Sequence, residues 1–276
     1  MNNKLRFPER IVCLTEETTE TLYLLGEDWR IVGISGFTVR PARARREKPR
    51  VSAFTSAKID RIVELRPDLV LGFSDLQADI AAELVRAGIE VHVFNHRSVA
   101  EILRTIAVIG GMVGCEAKAG VLVEQMSAGL EAVRARAASL PRRPRVYFEE
   151  WDEPQISCIR WVSELIGVAG GDDCFPELAA QSLGKNRIIA DPLEVPRRAP
   201  DIILGSWCGK KFRPESVKAR PGWENVPAIR NDIVREIKSP LILQPGPAAL
   251  TDGIAEIEKV ITEWGARSGG KSEELL

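Results

Sequence analysis

Apolar residues fall in short unbroken runs separated by stretches of helical period. Residues 10–14 (Arg-Ile-Val-Cys-Leu), 30–34 and 68–72 (Asp-Leu-Val-Leu-Gly) are continuous in apolar side chains, the pattern of parallel strands buried on both faces. Between them residues 16–25 predict a helix capped near Thr15 and stopped at Gly26. Residues 59–65 predict a short helix ended by Arg66-Pro67, and residues 77–87 a helix stopped by Gly88. A strand over 89–94 and a helix over 98–109 follow. Alternation of this kind predicts an α/β protein with a mostly parallel sheet.

Residues 116–140 break that rhythm. They hold no Pro and only two Gly, and they are rich in Ala, Val, Leu, Glu and Arg. One helix of about 24 residues, roughly 36 Å long, is expected there. Pro141-Arg-Arg-Pro144 ends it, and the pattern then restarts. Arg145-Val-Tyr-Phe-Glu149 mirrors Arg10-Ile-Val-Cys-Leu14, and Ala199-Pro-Asp-Ile-Ile-Leu-Gly205 mirrors Arg66-Pro-Asp-Leu-Val-Leu-Gly72, at offsets of 135 and 133 residues. Agreement in order and spacing predicts two similarly built α/β lobes: residues 1–114, a connecting helix over 115–141, and residues 142–267. The tail, residues 268–276, lacks apolar periodicity and is expected to fray.

Composition narrows the classes. Lys plus Arg is 38 and Asp plus Glu is 39, a formal net charge of -1, which argues against a general nucleic-acid binder. Five scattered Cys form no CxxC pair and suit a reducing compartment. The longest apolar run, residues 106–114, is far below the roughly 20 residues of a membrane-spanning helix. The first nine residues are polar and charged, with no apolar region of a signal peptide. As written the chain is expected in the cytoplasm and as a monomer; an export signal ahead of the written start would make it periplasmic or membrane-associated. No GxGxxG, GxxxxGK[ST] or GxSxG motif supports nucleotide or esterase chemistry.

In open α/β sheets ligands bind beyond the carboxyl ends of the strands. That rule marks Thr15, Glu16, Phe54, Phe73, Ser74, Asp75, Asn95, His96 and Arg97 in the first lobe. In the second it marks Glu150, Trp151, Trp207, Cys208, Lys210, Lys211 and Phe212. The aromatic share, with six Trp against two Tyr, suits a large, flat, partly apolar ligand held between the lobes. Glu149 and Glu150 adjoin on a strand and point to opposite faces, so they do not make an acid–base pair. No catalytic residue is assigned. His92 and His96 fall on a strand and its exit rather than on a helix, and no further His or Cys stands at metal spacing, so no protein-bound metal is expected. Cys13, Cys158 and Cys208 are expected as packing thiols. The loop over residues 40–50 carries Arg40, Arg43, Arg45, Arg46, Lys48 and Arg50 against one acid, Glu47; it reads as a solvated loop or as a patch for an acidic partner or anionic ligand.

These segments together resemble the periplasmic-binding-protein-like family that includes the cobalamin and iron-siderophore receptors of ABC importers. The resemblance runs over about residues 10–265. It is carried by Arg10-Ile-Val-Cys-Leu-Thr-Glu-Glu-Thr-Thr-Glu20, Arg66-Pro-Asp-Leu-Val70, Asn95-His-Arg-Ser98, Tyr147-Phe-Glu-Glu-Trp151, Trp161-Val-Ser-Glu-Leu165 with Ala169-Gly-Gly171, Ser206-Trp-Cys-Gly-Lys-Lys-Phe212, and Ser239-Pro-Leu-Ile-Leu-Gln-Pro-Gly246. It implies two doubly wound α/β lobes joined by one rigid helix and a non-catalytic binding protein. The implied ligand is cobalamin or another corrinoid, with no covalent cofactor. Thr15, Glu16, Phe54, Phe73, Ser74, His96, Arg97, Glu150, Trp151, Trp207, Lys210 and Phe212 would contact it. A siderophore or haem receptor, or an enzyme on the same fold using Glu16 or Glu150, are the alternatives. The resemblance also implies an ABC permease partner, docked in relatives through acidic residues. Here the segment over 41–49 is basic, which speaks against docking of that kind. Glu16 stands where relatives have a neutral residue, which points to a ligand different in detail.

Overall fold

The structure is a computed structural model describing the backbone of residues 7–273 and the side chains of residues 7–267. The leading residues 1–6, part of the stretch read as free of an export signal, lie outside the described residues. The chain forms two compact units. One is built from the chain up to His96 and from Ala100–Met126, the other from Arg97–Val99 and the chain from Ser127 on. The long helix, Glu116–Ala137, contributes residues to each, so the division falls inside the segment expected as a separate connector.

The first unit holds five strands: β1 (Ile11–Cys13), β2 (Ile31–Ser35), β3 (Arg50–Ser52), β4 (Leu69–Phe73) and β5 (Val91–Phe94). Their order is β3-β2-β1-β4-β5, and every pairing is parallel. The central strand β1 is fully buried, which is why Ile11, Val12 and Cys13 can form an unbroken apolar run. Strand order reverses direction beside β1, where β2 lies on one side and β4 on the other. In doubly wound sheets that is the topological switch point, and ligands bind beyond the strand ends there. The helix Glu16–Leu25 leaves β1 at this point. Thr15 precedes it in an extended conformation, but its hydroxyl makes no capping bond to the helix backbone. Gly26 ends the helix at φ +75°, with its N–H donating to the last-turn carbonyls.

The second unit repeats the plan with changes. β6 (Arg145–Asp152) pairs in parallel with β9 (Ile202–Gly205), which pairs in parallel with β10 (Val234–Glu236). On its other side β6 meets β8 (Asp172–Asp173) near its start and the antiparallel β7 (Gln155–Ser157) near its end. β6 runs three residues past the expected 145–149. Each charged side chain in that extension has a nearby partner, so the charge cluster that hid the strand in the sequence is tolerated in it. The indole of Trp161 donates to the Ile242 carbonyl at 2.8 Å, fastening the short Ser239–Ile242 helix to the Arg160–Val168 helix.

The repeated Pro-Asp pairs do the same work in both units. Asp68 accepts the backbone N–H groups of Glu9 and Arg10 at 2.8 and 2.9 Å, tying the start of β1 to β4. Asp201 accepts the N–H of Arg145 at 2.9 Å, tying the start of β6 to β9, and also takes both guanidinium nitrogens of Arg142 at 2.8 Å. The backbone repeats too: Arg66 and Ala199 stand two residues before these aspartates at φ 45° and 43°.

The last helix, Ile254–Glu273, follows a π-helical turn at Ala249–Gly253 and continues past the point where regular structure was expected to end. Of the tail expected to fray, residues 268–273 are helical in backbone, and the remaining three lie outside the described residues.

Gly205 closes β9 where the ring of Phe212 lies against the backbone. A Cβ at this position would sit 1.8 Å from a Phe212 ring carbon. Gly205→Ala is therefore expected to lower stability by about 1–3 kcal/mol in urea unfolding, the usual cost of overpacking. Adding Phe212→Leu should recover part of that loss; equal stability of Gly205→Ala and the parent would contradict it.

Candidate functional site

At the switch point of the first unit, the turn from β1 into its helix places three carboxylates in a buried setting. Glu16, Glu17 and Glu20 are all under 9% exposed. Thr18, Thr19 and Thr21 satisfy their hydroxyls by donating back to the carbonyls of Thr15, Thr15 and Glu17. Glu17 accepts the Thr15 hydroxyl at 2.5 Å, so Thr15 braces a glutamate rather than facing outward. Glu20 accepts from Arg40 at 2.8 Å. Glu16 accepts from the Val39 backbone, while its Oε1 and the Oε2 of Glu17 are buried with no partner among the described residues. Burial, reinforced by the charge of Glu17, raises the Glu16 pKa to about 8. Burial raises that of Glu17 to about 7. Glu16 is thus a carboxyl that keeps its proton at neutral pH and can donate a hydrogen bond.

Across the switch point, Phe73 closes β4 and Ser74 follows at φ +74°, with its Oγ accepting the Leu76 N–H at 3.1 Å. Gln77 is fully buried and holds this corner together. Its Oε1 accepts the Phe73 N–H at 2.9 Å and its Nε2 donates to the Phe54 carbonyl at 2.9 Å. Two aromatic candidates distant in sequence are thereby fixed by one side chain that sequence reasoning missed; a glutamine at a helix entrance carries no signal of that role. His96 is 2% exposed and packs edge-on to Phe73, with ring centres 4.9 Å apart. His92 lies on β5 against Phe94 at 4.4 Å, and burial lowers its pKa. Arg97 is half-buried and belongs to the second unit. Among the described residues no three His, Cys, Asp or Glu side chains converge as a metal site.

In the second unit the ladder of β6 is irregular between Glu149 and Trp151, and the two adjoining glutamates find different partners. Glu149 is 0% exposed. Its carboxylate accepts from the Tyr147 hydroxyl at 2.9 Å, the Trp207 indole at 3.0 Å and both guanidinium nitrogens of Arg220 at 2.5 and 2.9 Å. Glu150 is held by Arg187 in the same forked way, at 2.5 and 2.8 Å, and Arg187 also donates to the Ser157 carbonyl. Both oxygens of Glu150 are therefore engaged by a cation. Neither arginine was marked in the sequence, since each lies over 35 residues from its partner.

Trp207 and Phe212, expected to contact the ligand, are 3% and 1% exposed and pack edge-to-face within the core. They form the wall behind Trp151, whose ring is half-buried and whose indole N–H donates to the Glu153 carbonyl. The Lys210 ammonium lies 5.3 Å from the Trp151 ring centre and 4.9 Å from that of Trp207, and bonds Asp152 at 2.6 Å. Around this wall, Asp152 Oδ1, Gln155 Oε1, Ser157 Oγ, Arg187 Nε and Ser206 Oγ are buried without partners among the described residues. Buried polar atoms are usually satisfied, so each of these five is an exception among the described residues.

The family described as periplasmic binding protein matches residues 11–241, and the chain belongs to it. An ABC transporter substrate-binding lipoprotein of Bacillus subtilis, YvrC, is 25% identical, covering 92% of this chain and 80% of its own length. The vitamin B12-binding protein of Vibrio parahaemolyticus is 23% identical, covering 88% of this chain and 86% of its own. Among solved structures, the periplasmic heme-binding protein RhuT from Roseiflexus superposes with a TM-score of 0.77 at 22% identity, covering 92% of this chain and 99% of that one. Among the described residues no helix is long and apolar enough to cross a membrane.

Two outcomes follow from the buried charges. Arg220→Met leaves Glu149 buried and uncompensated, and is expected to cost about 3–5 kcal/mol in chemical unfolding; a loss under about 1 kcal/mol would show that Glu149 does not depend on Arg220. Glu16 and Glu17 bind protons in the folded state that the unfolded chain, with pKa near 4.5, releases. Their contribution to stability therefore falls as pH rises from 4.5 through about 7 and 8. In thermal melts the parent should lose Tm across that window, and the Glu16→Gln/Glu17→Gln variant should melt higher at the alkaline end and vary less. A variant with an unchanged pH slope would refute the assignment.

Proposed function

We propose that this chain is the non-catalytic substrate-binding component of an ABC-type importer and that it holds a corrinoid such as cobalamin. The observation that carries this reading is the wall at the carboxyl edge of the second sheet. There a half-buried Trp151 ring, backed by Trp207 and Phe212, stands beside unmet hydrogen-bonding atoms of Asp152, Gln155, Ser157 and Ser206. A ring of that kind grips a flat apolar face, and the unmet atoms suit amide groups at a corrinoid's rim, which both donate and accept. The likeness to a vitamin B12-binding and a heme-binding protein supports a metal-chelate ligand class.

A second reading is favoured by Glu16 alone. A buried carboxyl with its pKa near 8 is suited to proton transfer, so a metabolite-handling enzyme on this fold would use it. Glu150, held by Arg187, is poorly placed for the same task.

The two readings separate in one set of titrations with cyanocobalamin, cobinamide and hemin. Saturable binding of a corrinoid is expected, with the ligand recovered unchanged by mass spectrometry. Trp151→Ala should weaken binding about tenfold, equivalent to ~1.4 kcal/mol. No heat and no absorbance shift with either corrinoid at high micromolar concentration would overturn the corrinoid claim, and hemin binding alone would reassign the ligand to haem. Conversion of a bound ligand, abolished in Glu16→Gln, would favour the enzyme.

A further inference from the structure

The basic loop over residues 40–50 does not solvate uniformly. Arg40 pairs with Glu20 at 2.8 Å. Arg43 pairs with Asp28 at 3.4 Å, reaches Glu47 at 3.9 Å and lies over the Tyr23 ring at 4.6 Å. Glu47, the loop's one acid, also accepts the Tyr23 hydroxyl. Of the loop's other cations, Arg46 is not part of the cavity lining, while Arg45, Lys48 and Arg50, with Lys58, line one cavity of about 700 Å³ beside the edge strand β3. None of these four cations forms an ion pair among the described residues. Ser52 lines the same cavity; it is 9% exposed, and its buried Oγ has no hydrogen-bond partner among the described residues.

Arg45, Arg50 and Lys58 are exposed and Lys48 is half-buried, so their charges are solvated, but four cations around one concavity set up a positive potential that draws an anion. The donor set is specific as well. Guanidinium groups present forked N–H pairs matched to phosphoryl or carboxylate oxygens, ammonium groups add point charges, and the serine hydroxyl offers a further donor with nothing else to bind. No aromatic side chain lines the cavity, so it offers no surface for a nucleobase or a corrin ring. None of the residues assigned to the corrinoid reading lines it either.

We propose that this cavity, which shares no lining residue with the corrinoid reading, is a binding site for a compact polyanion bearing two or more phosphoryl groups. Arg45, Lys48, Arg50 and Lys58 supply the charge, and Ser52 donates from the wall.

The probe is inorganic tripolyphosphate, titrated calorimetrically at low and high salt beside inorganic phosphate and hexaglutamate. Saturable one-to-one binding of tripolyphosphate is expected, much tighter than inorganic phosphate and weakening steeply with salt. Arg50→Gln/Lys58→Gln should lose at least tenfold in affinity and Ser52→Ala severalfold, with corrinoid binding unchanged in both. Should the double variant fail to fold, Lys48→Gln carries the same expectation of weakened binding. No saturable tripolyphosphate binding, or binding that the variants leave unchanged, overturns the proposal. Hexaglutamate binding without tripolyphosphate binding also overturns it, and would make the cavity a docking surface for an acidic protein.

Discussion

The central strands of both sheets are covered on both faces, and this constraint decides where the chain can keep polar chemistry. β1 and β9 are 0% exposed along their length, so no ligand can reach their faces. What remains accessible is the ends. The parallel arrangement gathers the carboxyl ends at one edge of each sheet, which is where Glu16, Ser74, Trp151 and Ser206 stand. Glu149, a carboxylate fully buried within a sheet, is tolerated because four donors from Tyr147, Trp207 and Arg220 meet its two oxygens. A charge buried among apolar strands is stable only when its hydrogen-bonding capacity is filled this way.

That edge is useful only if the strands stay in register, and the paired aspartates provide for it. Asp68 and Asp201 each bond the first backbone N–H groups of the strand next to their own, at corresponding places in the two units. A parallel strand slipped by one residue would turn its apolar side chains out and move its terminal polar residues away from the site. The left-handed residues Arg66 and Ala199, two positions upstream of each aspartate, show the turn being repeated as well as the sequence.

Charge follows a similar division between spent and unspent groups. Arg187, Arg220, Arg142 and Arg40 are consumed by carboxylates of their own unit that position backbone or core. A near-neutral total therefore conceals local imbalance. At the switch point protonated glutamates remain where burial disfavours their charge, and beside β3 cations remain where the loop's own acid is turned toward Tyr23.

Much of this was legible in the chain itself. Unbroken apolar runs marked the buried strands because a strand covered on both faces has no polar side to show. The Pro-Asp repeat marked two α/β units, and the family resemblance followed from the same segments. Ends were legible to within a few residues where a Gly or Pro breaks the backbone pattern, as at Gly26 and Pro67. The reading fell short where meaning depends on distant partners. Charges over residues 149–152 concealed the length of β6, since Arg187 and Arg220 that neutralise them are far off in sequence. Gln77, which fixes Phe54 and Phe73, looks like any helix-entrance residue. Trp207 and Phe212 could be placed near the strand ends but not assigned to a surface or an interior, because strand alternation gives a face and packing alone determines what covers it. Local periodicity and backbone chemistry thus specify which elements form and where their ends point. Which buried charges are met, and which polar atoms are left waiting, is decided only when residues far apart in the chain come into contact.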